Sequence, residues 1–164
     1  MKKYEFTGEV KEWCGHILHR IKASVSFGDV EAGEVGGWIE NVTNLCDDGN
    51  AWVYGNAWVC GNAQVCGNAR VYGNAWVYGN AQVCSERHWF GIACIGSRND
   101  FTTFFRTTEK KIFVACGCFR GDIDQFAEKV KETHGDNEHS KAYMLSIELA
   151  KLRIDLNGEV EEDA

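Results

Sequence analysis

Proline is absent from all 164 residues, and methionine appears only twice. Proline cannot donate to a β ladder, so its absence leaves every backbone amide free to join one. No stretch of 18 consecutive apolar residues occurs, so no segment reads as a membrane-spanning helix. Nor does a basic-then-apolar leader open the chain, and a soluble cytoplasmic protein is expected. Charge is scarce in the middle: residues 49–84 carry only Arg70 and contain no histidine. The flanks are acidic, with five basic against nine acidic side chains before position 49 and eleven against fifteen after position 84. The net charge of −7, with no basic stripe, argues against duplex nucleic acid as a ligand. The acidity keeps the chain soluble or faces a basic partner.

Eight cysteines are present, but none is spaced as CxxC. Reduced, buried thiols are the expectation rather than a disulfide scaffold. Cys116 and Cys118 fall on one face if they lie in a strand, which is too little for a zinc site. No cofactor or metal is predicted.

Glycine is plentiful at 18 residues, and its placement is regular. From Gly49 the chain reads GNAWVY, GNAWVC, GNAQVC, GNARVY, GNAWVY, GNAQVC, ending at Cys84. A period of six suits a short strand with a corner, not a helix. The Val series from Val53 to Val83 points inward, and the Ala series from Ala51 to Ala81 shares that face. Gly-Asn makes the corner, because both residues tolerate left-handed backbone angles. The other two positions face outward.

An aliphatic residue followed four positions later by a small one, as in Val53–Ala57 and Val59–Ala63, resembles the hexapeptide repeat of left-handed β-helices. The resemblance implies three hexapeptides per 18-residue coil and a left-handed winding. Trp52 then stacks on Arg70, Trp58 on Trp76, Gln64 on Gln82 and Cys66 on Cys84. Residues 31–48 read as a degenerate first coil, with Ile39 and Leu45 at the Ala position.

The expected fold is therefore mainly β: a short left-handed parallel β-helix of about three coils with a cap at each end. Residues 1–30 form an N-terminal β cap, 31–84 the β-helix, 85–156 a C-terminal α/β module, and 157–164 an acidic tail. In the first cap Ile17, His19, Ile21 and Ala23 alternate inward, with His19 read as a core histidine. In the module, strands are expected over 88–95, 101–107 and 111–119. A helix begins at Asp122 and stops at Gly135, and a second runs from Asn137 to about Arg153 with Ala142, Leu145, Leu149 and Leu152 on one face.

Two places are candidate sites. Trp52, Trp58, Arg70 and Trp76 form an aromatic ladder read as an exposed interface or ligand face. Ser97, Arg98, Arg120 and His134 are read as an anion pocket, the arginines gripping a phosphate or carboxylate. A Cys-His dyad of Cys116 or Cys118 with His134 lacks an orienting third residue.

The motifs RIKA at 20–23, GDVEAG at 28–33, GGWIE at 36–40, the GNAxV array, GCFRG at 117–121 and HGDN at 134–137 resemble small proteins encoded by bacteriophages and prophages. That resemblance implies a non-enzymatic accessory binding protein in the host cytoplasm. It would counter host defence by blocking a host protein or sequestering its nucleotide signal, as a homo-oligomer, with a trimer favoured by the fold resemblance. Two alternatives stand beside it: a hexapeptide-type acyltransferase, and a purely structural scaffold. Against the enzyme, the repeat carries no histidine, and only His88, His134 and His139 offer a base outside it.

Overall fold

A computed structural model describes residues 2–157. Of the expected acidic tail, positions 158–164 lie outside the described residues. The fold is mainly β with two helices, and among the described residues no helix is long and apolar enough to cross a membrane.

Each hexapeptide contributes a two-residue strand: β4 (Trp52–Val53), β5 (Trp58–Val59), β6 (Gln64–Val65), β7 (Arg70–Val71), β8 (Trp76–Val77) and β9 (Gln82–Val83). They pair in parallel eighteen residues apart, β4 with β7, β5 with β8 and β6 with β9, giving a three-sided coil. Every Ala and Val of the six copies is at or below 1% exposed. At about 25 cal/mol per Å² of apolar surface, each inward Val contributes about 1.5–3 kcal/mol. The corner at Gly67 has φ 62°, and a Cβ there would run into the Cys84 carbonyl. Only glycine lets successive coils approach so closely.

Upstream, β1 (Tyr4–Trp13), β2 (His16–Ala23) and β3 (Val35–Ile39) form an antiparallel sheet that joins the coil through β3, which pairs in parallel with β5. Ile39 pairs with Val59, and Leu45 bridges to Val65. Both therefore occupy the Val position at a 20-residue offset, not the Ala position. The inward face of β2 also differs from expectation. Leu18, Ile21 and Ala23 are buried while Ile17 is 53% exposed. Both faces of β2 are used: Leu18 packs on one against Trp38, Cys60 and Trp76, while Ile21 and Ala23 enter the main core from the other. His19 stacks on Phe6 at the sheet surface, 4.5 Å between ring centroids.

Downstream, β10 (Trp89–Ile95), β11 (Asp100–Arg106), β12 (Ile112–Cys116) and β13 (Phe119–Asp122) form one antiparallel sheet in sequence order. The expected strand over 111–119 is broken by a tight turn with Gly117 at φ 54°. This sheet closes the coil. Phe105 enters the coil's core cluster, the Trp76 N–H donates to Thr103 Oγ1 at 3.1 Å, and Trp89 Nε1 donates to the Arg70 carbonyl at 2.8 Å. On its other side lie α1 (Ile123–His134), with Asp122 accepting from the Gln125 N–H as N-cap, and α2 (Glu138–Arg153), capped by Asn137. The face of α2 that packs carries Tyr143, Ser146, Ile147 and Ala150. The predicted leucine face points outward instead, with Leu145 72%, Leu149 41% and Leu152 76% exposed. The helix has two apolar faces, and the one holding Tyr143 and Ile147 meets the sheet.

Candidate functional site

The side of the coil built on β3, β5 and β8 presents two outward columns. Trp38, Trp58 and Trp76 follow one another in register. Beside them run Glu40, Cys60 and Tyr78, each two residues on. Two segments from outside the repeat meet on this face. The β1–β2 hairpin supplies Trp13, His16 and Leu18, and the β12–β13 turn supplies Ala115 and Arg120. Leu18 and Ala115 bury themselves against Trp38, Cys60 and Trp76.

The aromatic column is largely covered rather than displayed. Trp58 and Trp76 stack with centroids 4.3 Å apart, and Trp13 meets Trp58 edge-on at 5.7 Å. The Arg120 guanidinium lies 3.5 Å above Trp76, and Lys11 sits 4.3 Å over Trp38. Trp76 is 7% exposed and donates its indole N–H to Cys60 Sγ at 3.3 Å. Burial pushes the Cys60 thiol up to about 11, so it stays protonated. Trp52 and Arg70 belong to the adjoining β4–β7 side. Trp52 is fully buried under Phe27, and Arg70 pairs with Asp29 at 2.7 Å. The expected exposed ladder of Trp52, Trp58, Arg70 and Trp76 is thus not one surface. Successive hexapeptides put their outward residues on different sides of the coil, and the hairpin and module cover the tryptophan side.

At the edge of this face stands a residue pair that the sequence reading passed over. His16 Nδ1 and Glu40 Oε2 are 2.9 Å apart, and Glu40 Oε1 accepts the Gly61 N–H at 2.7 Å. Burial pushes the Glu40 carboxyl up, but the Gly61 amide and His16 outweigh it and hold it below its ordinary value. An ionised carboxylate on Nδ1 fixes the ring and leaves Nε2 on its outer side. The His16 side chain is 35% exposed. Nearby, Arg120 donates to Cys14 Sγ at 3.6 Å. The only warning in the sequence was a Cys-Gly-His turn ahead of an acidic residue 24 positions on.

A groove of about 350 Å³ runs along the seam between the tryptophan face and the downstream sheet, lined by Trp13, Trp58, Trp76, Arg98, Thr103 and Cys118 among others. It adjoins a second cavity of about 250 Å³ within the downstream module, with Arg98, Asp100, Gly117 and Cys118 lining both. Ser97, Arg98 and His134 of the expected anion pocket do come together in this second cavity. Arg120 does not join them, because it is engaged with Trp76 and Cys14. Lys129 lines the cavity in its stead. Cys116 Sγ contacts Tyr143 Oη at 3.6 Å rather than pairing with His134, whose ring lies beside Tyr143 at 5.9 Å.

Two cysteines depart from the expected reduced state: Cys46 and Cys66 form a disulfide between successive coils. Among the described residues no group of His, Cys, Asp and Glu is arranged to hold a metal ion.

Comparison with known proteins gives two results. A family described as "YdcK Beta solenoid repeat" matches residues 63–79 and 69–85, within the coil. A relative named "Uncharacterized acetyltransferase YdcK", of Escherichia coli (strain K12), is 42% identical over 62 residues. That match covers 33% of this chain and 19% of the relative. The repeat is thus of β-solenoid type. The relative carries an enzyme's name, and this overturns the expectation of a non-enzymatic phage protein that blocks host defence. The acyltransferase alternative is the better supported reading.

Proposed function

We propose that the chain is a β-solenoid protein that transfers an acyl group, with acetyl as the group in question, on the side of the coil where the hairpin sets His16 beside Glu40. On this reading the coil winds left-handedly, as its hexapeptide resemblance implies. The observation that carries the proposal is the His16–Glu40 pair at 2.9 Å, set on the side of a coil whose repeat is similar to that of a named acetyltransferase. Acyl transfer needs a base near the acceptor, and the repeat itself supplies none. The hairpin meets that need from outside the repeat.

In this scheme His16 Nε2 takes the proton from an acceptor amine or hydroxyl as its nitrogen or oxygen attacks the thioester carbonyl. The C–S bond breaks, and the leaving thiolate receives the proton back from His16. Glu40 holds the tautomer and stabilises the imidazolium while it is charged.

Thiol release from acetyl-CoA in the presence of amine and hydroxyl acceptors tests the reading. Acceptor-dependent release, together with a raised melting temperature on donor addition, is the expected result. No melting shift and no release above buffer would remove the proposal.

A further inference from the structure

The second cavity is unlike the rest of this acidic chain. Its rim carries Arg98 and Lys129 against one acid, Asp100. Neither cation has a carboxylate within ion-pair distance among the described residues. Its floor is apolar, made by Phe119, Phe126 and Val130. Both features follow from local structure. On α1, Phe126, Val130 and His134 recur four residues apart and share one side, with Lys129 and Thr133 flanking them. Arg98 belongs to the β10–β11 turn, close to the β12–β13 turn: a Cβ on Gly117 would lie 3.7 Å from its Nη1.

Tyr143 closes the back of the cavity, and its hydroxyl is prepared as a donor. Tyr143 Oη lies 3.6 Å from Cys116 Sγ, and the phenol O–H can turn from that weak sulfur acceptor to an oxygen that enters the cavity. Gly96 leaves the hydroxyl room, since a Cβ there would overlap Oη. Burial and the Cys116 contact push the phenol above its ordinary value, so that hydrogen stays in place at neutral pH.

We infer that this cavity binds a small organic phosphate, with its phosphoryl oxygens on Arg98, Lys129 and the Tyr143 hydroxyl and its apolar portion on Phe119, Phe126 and Val130. Two cations and a neutral donor suit a dianion with three terminal oxygens better than a carboxylate with two. The apolar floor adds affinity that a bare inorganic ion cannot use. The inference does not depend on acyl transfer, because the phosphate site and the His16–Glu40 pair share no residue.

Isothermal titration with phenyl phosphate, inorganic phosphate and benzoate tests it on the whole chain. Phenyl phosphate should bind in saturable fashion and more tightly than either comparison ion. Arg98→Gln and Lys129→Met should each weaken it by about tenfold, the cost of one charge-assisted contact. Tyr143→Phe should weaken it severalfold, while Lys131→Gln, on the same helix but outside the cavity, should leave it unchanged. Arg98 and Lys129 are exposed, so their variants should keep the parent's melting temperature. No saturation at about 10 mM phenyl phosphate, benzoate binding as well as phenyl phosphate, or affinity indifferent to Arg98→Gln and Lys129→Met would each overturn the inference. None of these readouts involves an acyl donor, so a failed acetyl-transfer assay leaves this result standing, and the reverse also holds.

Discussion

His88 sits where the coil ends, and protonating it should loosen that end. Its Nδ1 accepts the Cys84 N–H at 3.0 Å, and the residue is 3% exposed. Burial, aided by the Arg106 guanidinium, lowers its pKa from 6.5 to about 4. A shift of that size corresponds to about 3 kcal/mol between the two protonation states. The sign follows from proton uptake. Unfolded His88 binds a proton near pH 6.5, whereas folded His88 does so only near pH 4, so the unfolded chain gains stability as the pH falls between these values. The contribution of neutral His88 is complete above pH 6.5 and is lost progressively down to pH 4. Between about pH 7.5 and about pH 4.5 the parent should lose about 2.5 kcal/mol through this residue alone. Urea unfolding followed by tryptophan fluorescence at both pH values, on the parent and on His88→Gln, isolates the effect, because all other titrating groups are common to both. The variant should lose about 2.5 kcal/mol less than the parent across that range. Equal pH dependence in the two proteins would refute the reasoning.

Gly67→Ala should cost at least about 2 kcal/mol, since it combines a left-handed backbone angle with a Cβ driven into the Cys84 carbonyl, and chemical denaturation reads this directly. Trp76→Ala removes the stacking on Trp58, the seat of Arg120 and the donor to Cys60, and a loss of about 3–5 kcal/mol is expected. An unchanged melting temperature would mean that this tryptophan is a surface ornament. The Cys46–Cys66 disulfide closes a loop spanning a sequence separation of 20 and is worth about 3 kcal/mol. Reductant should therefore lower the parent's melting temperature and leave Cys66→Ser unaffected.

The repeat was legible because its physics is local. Gly-Asn corners and Ala-Val interiors recur within six residues, and the eighteen-residue pairing of Trp58 with Trp76 follows from counting. Both helices were legible for the same reason, since Asp122 and Asn137 cap them within three residues. What failed depends on long-range packing. Nothing in the heptad-like spacing of Leu145, Leu149 and Leu152 says that the opposite face of α2, with Tyr143 and Ile147, is the one that packs. The tryptophan column reads as exposed until the hairpin and the downstream sheet are folded over it. The His16–Glu40 pair was invisible for a related reason. His16 opens β2 and Glu40 follows the end of β3, and only the pairing of β2 with β3 and the turn at Gly61 bring them into one hydrogen-bonded set. In the second cavity three of the four expected residues assembled. Arg120 went elsewhere because Trp76 offered its face, and Lys129 entered from a helix side that the sequence reading did not weigh.

The central claim is that a histidine delivered by the hairpin, not by the repeat, carries out acyl transfer on this solenoid. Steady-state thiol release from acetyl-CoA by the parent, His16→Gln and Glu40→Gln, with donor affinity measured in parallel, tests it most directly. The account predicts a loss of kcat of about 10²–10⁴-fold in His16→Gln, a smaller loss in Glu40→Gln, and donor affinity retained in both. A His16→Gln protein that turns over as fast as the parent would contradict it.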